Sequence, residues 1–330
     1  YGAHRALHSF PTRRSSDLGR MYYWLKGSEN MLKKKSRDVA LVLSGGGARG
    51  LAHIGVIEEL LARDYRITSI AGCSMGSVVG GLYAVGKLEE YKNWILNLDK
   101  IDILRMIDFT LSSKGFIKGE KIFDRMRRLR MIPDVAIEDL PIPFAAVAVD
   151  IISGREHVFR DGELHTAIRA SIGIPSVFTP VRFGSSLLVD GGILKPLPLD
   201  HAKREKGDIL VAVDLMALVP YRQPDVPAAP EKERPASKRI AALLKKWEEF
   251  FETPEKKDGS EIGYFDLATK SVQLMQHGLT EYALEKNPPD ILIRISRESA
   301  AVFEFYRAGE LIAYGRERCA EALDRWEGRR

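Results

Sequence analysis

Cysteine is scarce in this chain of 330 residues: Cys73 and Cys319 are the only two. That excludes a disulfide framework and fits a reducing compartment. No apolar run approaches the roughly 20 residues that a membrane-spanning helix requires. The basic, apolar and small-residue succession of a secretory signal is missing as well. The chain therefore reads as soluble and cytoplasmic. No internal repeat is visible, and no stretch fits the phosphate-binding pattern G-x-x-x-x-G-K-[ST]. Hydrophobic residues make up 45% and charged residues 29%. Both are ordinary for a globular protein, and the length suffices for one large α/β domain or two small ones.

The first twenty residues look foreign to the fold. The chain opens on Tyr1, and residues 8–18 resemble the translation of a common sequencing adapter, so the natural start is expected at Met21 or Met31. Residues 1–37 are accordingly read as a leader and residues 38–330 as the folded body. Residues 1–20 carry four arginines against one aspartate, and residues 21–37 carry five cations against Glu29. Removing both stretches from the formal net charge of +5 leaves −2 for residues 38–330. The basic balance belongs to the leader, and no nucleic-acid partner is expected.

From Val39 onward, apolar runs alternate with amphipathic segments, the pattern of a sheet built from βαβ units and covered on both faces. Strands are expected at 39–43, 67–73, 144–152, 157–159, 181–183, 187–189, 209–214 and 291–295. Helices are expected at 50–63, 75–85, 88–98, 118–129, 162–171, 240–251, 264–285 and 308–323. Five prolines between Val219 and Pro235 mark a mobile insertion reaching to about residue 262.

Two glycine-rich turns lie about one βα unit apart. Ser44-Gly45-Gly46-Gly47-Ala48-Arg49-Gly50 follows the first strand, and Gly72-Cys73-Ser74-Met75-Gly76 follows the second. The second is a G-x-S-x-G sequence between an apolar strand and a small-residue helix. In that setting a serine is lifted onto a strained bend with its hydroxyl exposed. The plainer reading is a βα turn whose serine caps the helix. Cys73 is the neighbouring candidate nucleophile, but on a tight turn adjacent side chains diverge, so it is expected to pack against the sheet.

The first turn offers a row of backbone N–H groups to a developing oxyanion. Its competing reading is a dinucleotide loop, Gly45-x-Gly47-x-x-Gly50, which would want an acidic residue closing the next strand. That strand ends in Cys73-Ser74 instead. For a base, Asp190 ends a strand in Val189-Asp190-Gly191-Gly192, where two glycines allow close backbone approach. An ordinary Asp-Gly-Gly turn is the alternative. His53 reads as a packed helix residue, while His157, His165, His201 and His277 sit in no recognisable catalytic setting.

Taken in order, GGGARG, GCSMG and DGG resemble the motifs of the patatin-like phospholipase family, most closely its bacterial single-domain members. The likeness runs from about Asp38 to Asp214 and includes Ser171-Ile172-Gly173-Ile174-Pro175. It implies a three-layer α/β/α sandwich on a mostly parallel sheet, and a Ser–Asp dyad without histidine. Carried over, Ser74 is the nucleophile, Asp190 activates it, and Gly45, Gly46 and Gly47 form the oxyanion hole. Gly72, Gly76, Gly191 and Gly192 support the bends, and Arg49 orients the loop or attracts anionic head groups. No cofactor and no metal is implied.

The implied activity is carboxylic ester hydrolysis of lipids through an acyl-enzyme, with a fatty-acyl ester as substrate. Trp247, Phe250 and Phe251 could form a membrane-facing lid, although a helix packing its apolar face on the body is the plainer reading. Tyr22, Tyr23 and Trp24 with Lys33 to Lys35 could touch an anionic bilayer, giving peripheral membrane contact at the inner face, although a frayed leader is the plainer reading. Two rivals stand beside the dyad. One is a Ser-His-Asp esterase recruiting His201 or His277, with Asp190 or Asp214 orienting it. The other is a lipid-binding regulatory protein that does not turn over.

Overall fold

Eight strands form one mixed sheet in the order β5-β6-β3-β2-β1-β7-β8, with β4 also paired to β3. The computed structural model of the chain describes residues 37–106, 125–126, 128–129, 131–175, 178–226 and 264–328. The leader up to residue 36, the loop near Ser112, most of the helix expected at 118–129, and residues 227–263 with Trp247, Phe250 and Phe251 lie outside the described residues.

The strands are β1 (Asp38–Leu43), β2 (Arg66–Cys73), β3 (Phe144–Asp150), β4 (Arg155–Phe159), β5 (Val181–Phe183), β6 (Ser186–Asp190), β7 (Ile209–Ala217) and β8 (Ile291–Ser296). The helices are α1 (Ala52–Ala62), α2 (Met75–Ala84), α3 (Leu88–Leu96), α4 (Lys100–Met106), α5 (Leu164–Ser171), α6 (Tyr264–Lys286) and α7 (Ala308–Gly328). The expected strands are all present, within a few residues at their ends. Helix α4 was not expected. Asp99 starts it, its Oδ1 accepting the Asp102 N–H at 2.8 Å, an aspartate cap that the sequence reading passed over.

Pairing is parallel among β3, β2, β1, β7 and β8, and antiparallel where β4 and β6 join β3 and where β5 joins β6. A buried parallel strand feeds both faces. Val39, Leu41 and Leu43 of β1 enter one core with residues of α1, α2 and α7, while Ala40 and Val42 enter a second with Leu284 of α6. The result is the three-layer α/β/α arrangement. On the first face α1 and α7 approach until their backbones touch. A Cβ at Gly55 would stand 1.9 Å from the Ile312 carbonyl oxygen, and one at Gly315 would stand 2.0 Å from that of Ala52.

One detail of register positions the site. Ala146 pairs with Gly72 and with Phe159, and Ala148 pairs with Asp190 and with His157. Since β4 occupies one edge of β3 throughout, β2 and β6 must share the other. They follow one another along it, from Cys73 opposite Val147 to Asp190 opposite Ala148.

Candidate active site

Ser74 follows directly on β2 and precedes α2, and its backbone is bent into the left-handed region at φ 50°. That conformation strains a residue with a Cβ. The bend is held on both sides. The Ser74 carbonyl accepts Ser77 N–H at 2.8 Å and the Ser77 hydroxyl at 2.7 Å. Its own N–H donates to Ser171 Oγ at 2.9 Å. The flanking glycines allow the tight turn, for a Cβ at Gly72 would lie 2.5 Å from Gly76 and one at Gly76 would lie 2.2 Å from the Leu43 carbonyl oxygen.

The Ser74 hydroxyl donates to Asp190 Oδ2 at 2.6 Å, and both residues are buried. The other carboxylate oxygen accepts the Gly192 N–H at 2.7 Å, with the Cys73 thiol 3.9 Å away. Burial pushes Asp190 up to about 6, against the lowering effect of the hydrogen bonds from Ser74, Gly192 and Cys73. Gly191 has no room for a side chain, since a Cβ there would come 2.3 Å from the Val147 carbonyl oxygen. Gly192 is held from α6, where Gln276 Nε2 donates to its carbonyl at 3.1 Å. Burial and the Asp190 carboxylate raise the Cys73 thiol well above its ordinary range, which keeps it protonated.

The glycine loop packs against this bend, and a Cβ at Gly45 would stand 3.2 Å from that of Ser74. The expectation for Gly45 needs correction, because its N–H is committed to the Pro196 carbonyl at 3.0 Å. Among the described residues, the Gly46 and Gly47 N–H groups have no hydrogen-bond partner. Arg49 holds the peptide that carries the second of them. It is buried, donating through Nε to the Gly46 carbonyl at 2.9 Å and through Nη1 to the Arg297 carbonyl at 3.0 Å. The Gly46 C=O and the Gly47 N–H belong to one trans peptide, so anchoring the first aims the second the opposite way. Burial draws the Arg49 guanidinium down to about 10, partly offset by Asp214, so it stays a cation at neutral pH. Buried and bonded to these two carbonyls, Arg49 does not face solvent, where it could meet head groups.

The histidines are placed elsewhere. His53 is fully buried on α1, its Nε2 2.9 Å from the Ser44 carbonyl oxygen, and burial pushes it down to about 4. His201 sits 3.0 Å from Glu156 Oε2. His277 lies near Asp214, to which it is electrostatically coupled. Among the described residues no histidine shares a hydrogen bond with Ser74. Glu156, Asp200 and His201 bring their ligand atoms within 4.8 Å of one another. However, Lys195 already supplies a cation there, bonded to Asp200 and 3.8 Å from Glu156.

Gly47 and Ser74 also line a cavity of about 90 Å³ whose wall is almost wholly apolar, with Tyr91, Trp94, Ile103, Met126, Ile172 and Phe178 among its lining. Sequence reasoning missed this cavity. Its walls come mainly from α3, α4, the segment after α5 and residues 302–305, and apart from Gly47, Ser74, Met75, Ile172 and Ile174 the lining residues carry no motif. A hydroxyl in contact with a buried carboxylate, on a bend packed against a glycine loop with unpaired N–H groups and beside an apolar chamber, is equipped to attack an ester of an apolar acid.

A family model described as patatin-like phospholipase matches residues 41–203. Uncharacterised NTE family proteins of Mycobacterium tuberculosis and Mycobacterium bovis are 36% identical over 336 residues, covering 88% of this chain and 93% of theirs. The mouse patatin-like phospholipase domain-containing protein 6 is 31% identical over 209 residues, which is 61% of this chain and 14% of that one. Among solved structures, VipD from Legionella pneumophila is similar at a TM-score of 0.46 and 13% identity, over 88% of this chain and 67% of VipD. Among the described residues no helix is long and apolar enough to cross a membrane. With its motifs in order along one mixed sheet and mycobacterial relatives alike over nearly their whole length, the chain belongs to the patatin-like phospholipase family.

Proposed function

We propose that the protein is a lipid acyl hydrolase that works through a Ser74–Asp190 dyad and an acyl-enzyme. One observation carries the reading, the 2.6 Å bond from the Ser74 hydroxyl to a buried carboxylate beside an apolar cavity. Ser74 Oγ bonds to the ester carbonyl carbon while its proton passes to Asp190. The carbonyl electron pair moves to oxygen, where the Gly46 and Gly47 N–H groups hold the charge. Collapse expels the alcohol, which takes the proton back from Asp190. A water molecule then repeats the sequence, its proton going to Asp190, and the C–Oγ bond breaks to release the acid and restore Ser74.

A free aspartate, with a pKa near 3.9, is a weak base. At about 6, Asp190 is better matched to serine while remaining ionised at neutral pH. The substrate class is a fatty-acyl ester of a lipid, because the cavity offers dispersion contacts and almost no polar partner. Contact with a membrane surface, where such esters reside, belongs to this reading.

The test is fatty-acid release from phospholipid, lysophospholipid and monoacylglycerol, with wild-type protein, Ser74→Ala, His201→Ala and His277→Ala side by side. Release that vanishes in Ser74→Ala and persists in both histidine variants supports the dyad. Loss in one histidine variant would assign a Ser-His-Asp esterase. No release and no Ser74-dependent adduct with a fluorophosphonate would leave a lipid-binding regulatory protein.

A further inference from the structure

Residues 171–173, which join the end of α5 to the loop before β5, touch both halves of the dyad. The Ser171 side chain is fully buried. Its Oγ accepts the Ser74 N–H at 2.9 Å and donates its own proton to the Val147 carbonyl at 2.6 Å. Two residues later the Gly173 carbonyl accepts the Asp190 N–H at 2.9 Å. Gly173 packs against the same strand end, where a Cβ would stand 3.4 Å from Val189 Cα and 3.6 Å from Asp190 N. Three consecutive residues therefore hold the main-chain nitrogen of the serine and that of the aspartate.

These bonds are placed where the chain most needs them. Ser74 is strained at φ 50°, and its N–H lies ahead of the first turn of α2, where no helical carbonyl can take it. Asp190 ends β6, and its side chain has to stay within reach of a hydroxyl 116 residues away in sequence. A strained bend persists only when its surroundings over-determine it. Here the Ser171 hydroxyl ties the bend to Val147, the β3 residue opposite Cys73, and the Gly173 carbonyl ties the aspartate to the same short segment.

We infer that residues 171–173 form a clip that sets the distance between Ser74 and Asp190, with Ser171 as the positioning residue. The inference rests on the dyad reading above. Ile172, between the two contacts, lines the apolar cavity, so the clip is also part of the wall a bound acyl chain would touch. Removing the Ser171 hydroxyl frees the Ser74 N–H and lets the nucleophile drift from the carboxylate, while leaving the cavity wall in place. The cost then falls on the chemical step and not on binding, since misplacing a reacting group by about 1 Å can cost on the order of 100-fold in rate.

The experiment measures kcat and KM for a p-nitrophenyl ester with Ser171→Ala, Ser171→Thr and Ser74→Ala, alongside thermal unfolding of each. The expected result is a kcat lowered about 10- to 100-fold in Ser171→Ala with KM within about twofold. Ser171→Thr, which keeps the hydroxyl, should recover most of kcat. Wild-type kcat in Ser171→Ala, with Ser74→Ala inactive, would overturn the clip and leave the dyad standing. A loss of kcat that Ser171→Thr does not recover, or that merely follows the loss of folded protein, would also overturn it. Activity retained in Ser74→Ala would instead overturn the dyad reading itself.

Discussion

Cys73 and Asp190 face consecutive residues of one strand, Val147 and Ala148 of β3, along a single edge. Ser74 comes next after Cys73, so the register of two strands on a third brings serine and carboxylate together without a long loop to guide either. The 2.6 Å bond between them is a product of sheet topology. What the glycines add is room, because neither bend tolerates a side chain at Gly72, Gly76 or Gly191.

Activity should fall in acid with a midpoint set by Asp190. The carboxylate accepts the serine proton only when ionised, and burial places it at about 6. A kcat/KM profile on a neutral ester should therefore lose about tenfold per pH unit below that value. A flat profile down to pH 4.5 would exclude Asp190 as the base.

The same burial costs stability. Asp190 rises from 3.8 to about 6 on folding. A raised carboxylate favours the fold below pH 3.8, where it is protonated in both states, and that advantage is lost as pH rises through 6. The penalty at pH 8 is on the order of 3 kcal/mol. Asp190→Asn should thus be more stable than wild type at pH 8 by up to that amount, with the gap closing by pH 4. Urea unfolding at the two pH values measures it, and an equal gap at both would contradict the burial argument.

Much of this was legible in the sequence because it is local. The apolar run ending at Cys73, the bend at Ser74 and the small-residue helix after it are contiguous, as are Val189, Asp190 and the two glycines. Their patterns survive any tertiary context. The Gly45 amide was misassigned because its partner, the Pro196 carbonyl, comes from a loop far along the chain. Ser171 lay inside a recognised block, yet its contact with Ser74 depends on how α5 ends against β3, which no spacing reveals. The cavity was invisible for a related reason. The helix expected at 88–98 carries no motif, and only packing brings its Tyr91 and Trp94 to the cavity that Ser74 lines.

Arg49 should matter for turnover and little for binding. Arg49→Met leaves the Gly46 carbonyl without its donor, so the Gly47 N–H loses its fixed aim. Loss of one oxyanion donor costs on the order of 100- to 1,000-fold in kcat, and a misdirected one should approach the lower figure with KM nearly unchanged. Steady-state kinetics on a p-nitrophenyl ester checks this, and a wild-type kcat would remove Arg49 from the account.

The cavity should read chain length. Ile174, which lines it beside Ile172, is only partly buried and can be enlarged without entering the core. Ile174→Phe should depress kcat/KM for long-chain esters about 10-fold relative to short ones, in keeping with about 1–3 kcal/mol per methylene-sized change in an apolar pocket. An unchanged ratio between butyrate and palmitate esters would mean the acyl chain lies elsewhere.

The most direct test of the dyad is the kcat/KM of Asp190→Asn against wild type at pH 8, on folded protein whose Ser74 is intact. The account predicts a loss of about 100- to 10,000-fold, with fluorophosphonate labelling of Ser74 slowed in parallel. Activity within threefold of wild type, with Ser74 labelled at the normal rate, would contradict it.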